Sequence, residues 1–484
     1  MKLSKLITAI TAALAISYTA HATETLLVWE DINKGHGIEQ AIADFEKANN
    51  VKVTMEQSDY VQHLAQYQER VDNGGAIPDV LMLPGDRLGG AAKNEQIIPL
   101  DFMESDRGKY LSNSVDAFTY NGKIYGCPRS VETMILFYNQ DLLKYPFERF
   151  DDYYQFSKDL KAQGKVGLIG KWDTFYFIYG FLKGSGGYLF GQNADGSLNP
   201  KDLGVATPGS VQGMEYLSKV VRDILPSSIL GDGGFTEIEK MFCDGKAAAV
   251  ITGPWEFEIF AKSGINYGVS MLPKLPNGKD MEPFLGFRGY AITSKSPKKA
   301  LATKFLQFIN QPKYALQRYQ GIQELPPIKE VLELPVIIND DFANAIAQQA
   351  LHAEIMPSIP EMGSVWDPMN AATADAVTLK KEPAAALNEA LEKIAAAIVG
   401  APAPKAEEPK EEFKEEPVAE VKEEAPAPKE TTVETDAQEN ATETATEAPA
   451  EEQKAEESKA EESNAQDTTT QASNEISLDS LSFN

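Results

Sequence analysis

From Thr25 to Pro84 the chain alternates strand-like and helix-like segments: LLVWE, then GIEQAIADFEKANN, then VKVTME, then a helix-patterned stretch from about Tyr60 to Val71, then DVLML. In the second of these, Ile38, Ala41, Ile42 and Phe45 recur at i, i+3, i+4 and i+7, which puts them on one face of an α-helix. Strands separated by helical crossovers run parallel, so the pattern predicts an α/β fold with helices on both faces of a parallel sheet. Such sheets bind ligands beyond the carboxyl ends of their strands. Asn33-Lys34 follows the first strand and Asp86-Arg87 follows the third, so both pairs are expected at that end. In VLMLPGDRLGG, Val80 to Gly90, a strand is read as giving way to a Gly-rich turn that carries Asp86 and Arg87. A solvated surface turn has the same composition, so the rest of the chain must decide whether this pair holds a ligand.

Residues 23–400 exceed the usual size of one domain, and two are expected. YNGKIYGCP has Asn-Gly between β-prone residues and reads as a hairpin. A second α/β region follows. Its parts are strand VGLIG, a helix around Phe175 to Leu182, a long helix from about Val211 to Ile224, a short one from Glu237 to Cys243, and strands AAAVIT, YGVSMLP and FLGFRGYAIT. A helix at Lys298 to Ile309 comes next. Near the end, PAAALNEALEKIAAAIV carries Leu387, Leu391, Ile394 and Ile398 as one stripe.

The termini differ in kind from this body. MKLSK, an apolar LITAITAALAI and SYTAHA make a secretory signal over 1–22, with cleavage expected after Ala22. The apolar part is shorter than the ~20 residues of a membrane span, and no Cys adjoins it to carry a lipid anchor. A soluble periplasmic protein is therefore expected. The formal charge of −27 is uneven: residues 401–484 hold 24 Asp/Glu against 7 Lys, while residues 23–400 carry −12. An acidic body without a basic stripe argues against nucleic acid as a partner. The Ala/Pro/Glu-rich tail buries too little apolar surface to offset about 1–2 kcal/mol of backbone entropy per residue, so disorder is expected there. Its end, Ile476 to Asn484, regains some apolar character. Cys127 and Cys243 are too few to form a disulfide scaffold and are read as free and buried.

Catalytic chemistry finds little support. His36, His63 and His352 are scattered without metal-ligand spacing, and neither a G-x-S-x-G elbow nor a P-loop occurs. No cofactor, no metal and no catalytic residue is expected, although paired carboxylates for glycoside cleavage are hard to dismiss in an acidic chain.

Several stretches, taken in order, carry a resemblance: GDRLGG (85–90), YNGK with CPRSVE and FYNQDLL (120–143), GGYLF (186–190), ITGPWEF (251–257), NYGVSMLP (266–273) and EIMPSIPEMGSVW (354–366). Residues 24–400 resemble the maltose/maltodextrin-binding proteins of ABC sugar importers, within the extracellular solute-binding proteins. The resemblance implies a monomer of two α/β lobes with a hinged cleft between them. The lobes would be 23–130 with 285–325, and 131–284 with 326–400. The closed, loaded form would be what an inner-membrane permease recognises. It implies a sugar site of Lys34, Asp86, Arg87 and Glu132, which would bond the hydroxyl edge of a pyranose, with Tyr176, Trp255 and Trp366 stacking on its faces. Lys34 and Glu132 also suit a solvated surface, and Trp255 suits a core.

The chain departs from that family at several of these places. Leu83 stands where a Trp is usual, Gln62 and Thr174 where acids are, Asn33 for an Asp, Phe257 for a second Trp and Asn370 for an Arg. Arg129 has no counterpart and is expected to add a polar contact. Asp31, Gln62, Arg129, Phe257 and Asn370 are thus additional candidates. Maltose or a maltodextrin is the first expectation and another gluco-oligosaccharide the second. Rivals are another solute on the same fold, or a glycan-recognition scaffold that uses the acidic tail.

Overall fold

The computed structural model describes residues 23–399, so the expected export signal and acidic tail lie outside the described residues. The expected opening is present as β1 (Thr25–Glu30), α1 (Glu39–Asn49), β2 (Lys52–Gln57), α2 (His63–Asn73) and β3 (Val80–Pro84). β1 pairs in parallel with both β2 and β3, with Val28 opposite Val80. α1 turns Ala41 and Phe45 inward. α2 begins only at His63, because Tyr60–Gln62 forms a separate 3-10 turn in which the Asp59 carboxylate accepts from Val61 N–H. The remaining main elements are α3 (Gly85–Lys93), β4 (Cys127–Glu132), β5 (Ile135–Asn139), β6 (Ile169–Gly170), α4 (Phe175–Gly184), α5 (Pro208–Ile224), β7 (Ala249–Thr252), β8 (Tyr267–Ser270), β9 (Phe284–Ile292), β10 (Glu354–Ile355), α6 (Trp366–Val377) and α7 (Pro383–Val399).

The first sheet runs β10-β9-β3-β1-β2, with β4 also paired to β9. It is mixed rather than purely parallel, since β9 returns antiparallel to both β3 and β4. β3 and β9 are buried at every position, as strands covered on both faces are. The second sheet runs β8-β5-β7-β6, with β5 antiparallel to both neighbours. The chain crosses from one sheet to the other in two residues, Thr133 and Met134, between the end of β4 at Glu132 and the start of β5. Helices α4 to α7 share a core with Leu136 and Ile251 of that second sheet. In α7, Leu387 and Ile394 are fully buried and Leu391 and Ile398 pack at the margin.

Two local expectations change. GDRLGG is not a turn: extended Pro84 leads directly into α3, which places Asp86 and Arg87 in a helical first turn. Gly89 serves packing, because a Cβ there would meet Ser358 O at 2.2 Å and Pro360 N at 2.8 Å. Both cysteines are free, but only Cys127 is buried, and Cys243 is half-exposed. The expected hairpin forms between Thr119–Tyr120 and Lys123–Ile124, with positive φ at Asn121 and Gly122 as a tight I′ turn requires.

Candidate functional site

Asp86 sits at the N-terminal end of α3, where the helix dipole favours a negative charge. It is 6% exposed. Its Oδ2 accepts from Trp366 Nε1 at 3.1 Å and lies 3.5 Å from Arg87 Nε. Burial pushes this carboxyl above the usual range, against the pull of Arg87 and the indole N–H. The Arg87 side chain remains about one-third exposed. A cavity of about 280 Å³ opens beside the pair, lined also by Gln68, Asn94, Pro360 and Gly363.

Glu132, the last residue of β4, does not stand alone. Arg288, in the middle of β9, brings Nε to 2.5 Å from Glu132 Oε1 and donates from Nη1 to Asp31 Oδ2 at 2.7 Å. Its guanidinium lies 4.9 Å from the centre of the Tyr60 ring, a cation–π distance. Burial pushes the Tyr60 hydroxyl up to about 12; Arg288 opposes this, and Asp86, Glu132 and Asp31 add to it. Those four charges therefore all act on one phenol. Tyr176 belongs to the same group: burial raises its hydroxyl, with Glu132, Tyr60 and Asp86 adding and Arg288 opposing.

The aromatics form a continuous wall. Tyr176 and Trp255 lie 6.0 Å apart between ring centres. Phe284 joins Tyr176 at 6.1 Å to Trp366, also at 6.1 Å. Tyr176, Trp255 and Trp366 are each partly exposed, so each keeps ring area for another surface. Trp255 stands in the turn Pro254–Glu256 right after β7. Lys34 follows Asn33, whose φ of 61° is a left-handed conformation that Asn tolerates better than most residues. Lys34 acts electrostatically on Glu256 and Glu324.

Of the additional candidates, only Asp31 joins the group. Arg129 is a correction: it is 1% exposed and commits its donors to Glu30 Oε2 at 2.5 Å, Tyr290 Oη at 2.8 Å and Glu324 Oε1 at 3.1 Å. It therefore has no surface for a ligand. Asn370 accepts from Phe175 N–H at 3.0 Å, tying α6 to the start of α4. Phe257 packs against Phe342, with ring centres 4.9 Å apart. Gln62 is exposed at the end of its 3-10 turn. Sequence reasoning missed Arg288, Tyr60 and Glu256. For Arg288 a signal existed: one charge inside the apolar run FLGFRGYAI must be paired if that strand is buried.

The family model of the bacterial extracellular solute-binding protein matches residues 40–346. This chain belongs to the bacterial extracellular solute-binding proteins. The solute-binding protein is 36% identical over 371 residues to a galactooligosaccharide-binding protein of Bacillus subtilis, covering 76% of this chain and 88% of that one. It is 32% identical over 374 residues to a maltooligosaccharide ABC transporter solute-binding lipoprotein of Streptococcus pneumoniae, covering 76% and 87%. Among solved structures, MalX from Streptococcus pneumoniae in complex with maltopentaose superposes with a TM-score of 0.71 at 31% identity, over 76% of this chain and 99% of that one. A cyclo/maltodextrin-binding protein complexed with maltotetraose gives 0.67 at 30%, over 79% and 99%. These relatives are named for binding rather than for turnover, and the mixed α/β architecture of this solute-binding protein matches theirs.

Proposed function

We propose that this solute-binding protein is the periplasmic component of an ABC importer. It captures a linear hexose oligosaccharide, a maltodextrin in the first reading, and delivers it to an inner-membrane permease. The observation that carries this reading is the meeting of Asp86, Arg87 and Glu132 with the partly exposed rings of Tyr176, Trp255 and Trp366. A pyranose offers hydroxyls at its edge and C–H groups on its faces. Charged groups bond the first and rings cover the second. Lobes of 23–130 with 285–325, and 131–284 with 326–400, would close over the sugar by hinge motion, and Lys34 would join from the loop after β1. Hydrogen bonds to charged groups are worth about 1.5–3 kcal/mol each, so a micromolar affinity near −8 kcal/mol is within reach after association costs.

A second reading, a galactooligosaccharide, is favoured by two observations. The relative at 36% identity carries that name, and Leu83, at 1% exposure, offers no ring beside the Asp86-Arg87 pair. Galactose differs from glucose in an axial hydroxyl at C4, which merges its C–H groups into one apolar face. Tyr176, Trp255 and Trp366 would cover such a face without a further ring at position 83.

A thermal-shift series with maltotriose, maltotetraose, β-1,4-galactotriose and cellobiose tests both. A ligand that binds only the native state stabilises it by about 2.7 kcal/mol at a hundredfold excess over Kd, so the true ligand raises Tm by several degrees. Asp86→Ala and Trp255→Ala should abolish the shift. No shift with any of these sugars defeats the reading. Removing residues 401–484 should leave affinity unchanged, whereas its loss would favour the scaffold reading instead.

A further inference from the structure

Arg288 is the one charged residue of β9, lying opposite Pro84 of β3 and Ser130 of β4. Two of its three nitrogens face carboxylates: Nη1 donates to Asp31, and Nε lies in an ion pair 2.5 Å from Glu132 Oε1 without the geometry of a hydrogen bond. The third, Nη2, has no protein partner among the described residues and is not among the atoms sealed from water. Arg129 is its opposite, since both its terminal nitrogens are occupied by protein. A guanidinium is a rigid planar fork, so with Nη1 held by Asp31 and Nε beside Glu132 the edge left free points in one direction. Around it stand Tyr60, Tyr176 and Asp86, the groups already placed at the candidate site.

We propose that Arg288 is a specificity-determining residue of the sugar site, donating from its free Nη2 edge to a ring hydroxyl, while Asp31 and Glu132 accept from the hydroxyls on either side. The inference rests on the oligosaccharide reading above. Its chemistry is one of alternation. A carboxylate only accepts and a guanidinium only donates, so Asp31–Arg288–Glu132 presents acceptor, donor, acceptor. A hydroxyl does both, and adjacent ring hydroxyls can run in that alternating sense. A ligand lacking the central hydroxyl leaves Nη2 desolvated and unpaired, and a site built around a hydrogen-bonded hydroxyl rejects such an analogue strongly.

The test uses the full-length protein, maltotriose and β-1,4-galactotriose as probes, and the monodeoxy analogues of whichever binds. Arg288→Lys keeps the charge between Asp31 and Glu132 but removes the planar fork. Calorimetry should show affinity for the parent trisaccharide reduced about 10- to 100-fold. One monodeoxy analogue should bind the variant and the wild type equally, since the bond it lacks is the one the variant lacks. A role confined to structure would lower affinity for every analogue alike, and that result overturns the proposal. So does an unchanged affinity in Arg288→Lys. Should that variant fail to fold, NMR of the arginine side-chain nitrogens in the wild type decides the matter. Arg288 signals should shift on saturation with sugar while those of Arg129 stay, and unmoved Arg288 signals overturn the proposal. A wild type that binds neither trisaccharide, nor maltotetraose or cellobiose, removes the oligosaccharide reading and this inference with it, whereas binding without Arg288 involvement removes only the inference.

Discussion

Arg129 and Arg288 are built alike and surrounded differently. Each bridges two carboxylates, and each takes one of them from adjacent positions at the end of β1, Glu30 for Arg129 and Asp31 for Arg288. Each also meets a tyrosine ring, Tyr290 at 5.1 Å and Tyr60 at 4.9 Å. Arg129, with Glu30 and Glu324, is sealed at 0–3% side-chain exposure, whereas Arg288, Asp31 and Glu132 keep 9–14%. That small difference separates a structural clasp from a surface that can meet a ligand. In the sealed set every charge must be answered from within the protein. In the other, part of each side chain stays accessible.

The largest effect should come from breaking the sealed set. Arg129→Met leaves Glu30 and Glu324 buried without the guanidinium they are paired with, and removing one partner of a buried pair costs about 3–5 kcal/mol. A denaturant titration should show the midpoint fall accordingly. Adding Glu30→Gln and Glu324→Gln to that variant should recover part of the loss, because neutral amides no longer carry the unpaired charge. A variant as stable as the wild type would mean that the two arginines are equivalent and the comparison empty.

Acid sharpens the same contrast. Burial alone would raise the Glu324 carboxyl, but Arg129, with Lys34 and Arg288, outweighs it and holds the group below its usual value of 4.5. A carboxyl depressed in the folded state stabilises the protein above its unfolded pKa, and that contribution is lost as pH falls through the folded value. Wild-type stability should therefore decline below about pH 4.5, the usual value from which Glu324 is depressed. In Arg129→Met this part of the decline should be smaller, since only the weaker pull of Lys34, Arg288 and Arg318 remains. Parallel pH profiles for the two proteins would break the assignment.

The sequence made the scaffold legible where periodicity is strong. The strands and helices from β1 to β3 stand where alternation puts them, and α7 buries Leu387 and Ile394 of the stripe read from its spacing. The Asp86-Arg87 pair was also legible, though as a turn. α3 contains Gly85, Gly89 and Gly90, which local propensity counts against a helix, and for Gly89 it is the approach of Ser358 to Pro360 that leaves no room for a side chain. Arg288 was not legible as a site residue, because its partners Asp31 and Glu132 lie more than 150 residues away along the chain. The same holds for Arg129: CPRSVE gives no sign that Glu30 and Glu324 converge on it. A lone charge in an apolar strand announces that a partner exists without saying where, or whether one edge stays open.

Glu256 supplies the third case, a buried carboxyl with no guanidinium. It is 3% exposed, and its Oε2 is sealed without a hydrogen-bond partner. Burial and the nearby Glu239 push it up to about 8, with Lys34 opposing; Cys243, the last residue of the helix Gly234–Cys243 that carries Glu239, lies within its electrostatic reach. Here the sign is the reverse of that at Glu324. Between the usual value of 4.5 and about 8 the folded protein holds a proton that the unfolded chain has released, so stability falls as pH rises across that window. Glu256→Gln removes the titrating group while keeping the shape. The variant should match the wild type near the acid end of the window and exceed it at the alkaline end by about 1–3 kcal/mol, the range for an unsatisfied buried polar group. Denaturant midpoints measured across the window for both proteins read this difference directly. If they run parallel, Lys34 compensates Glu256 as fully as Arg129 compensates Glu30, and an arginine is not what makes a buried acid tolerable in this fold.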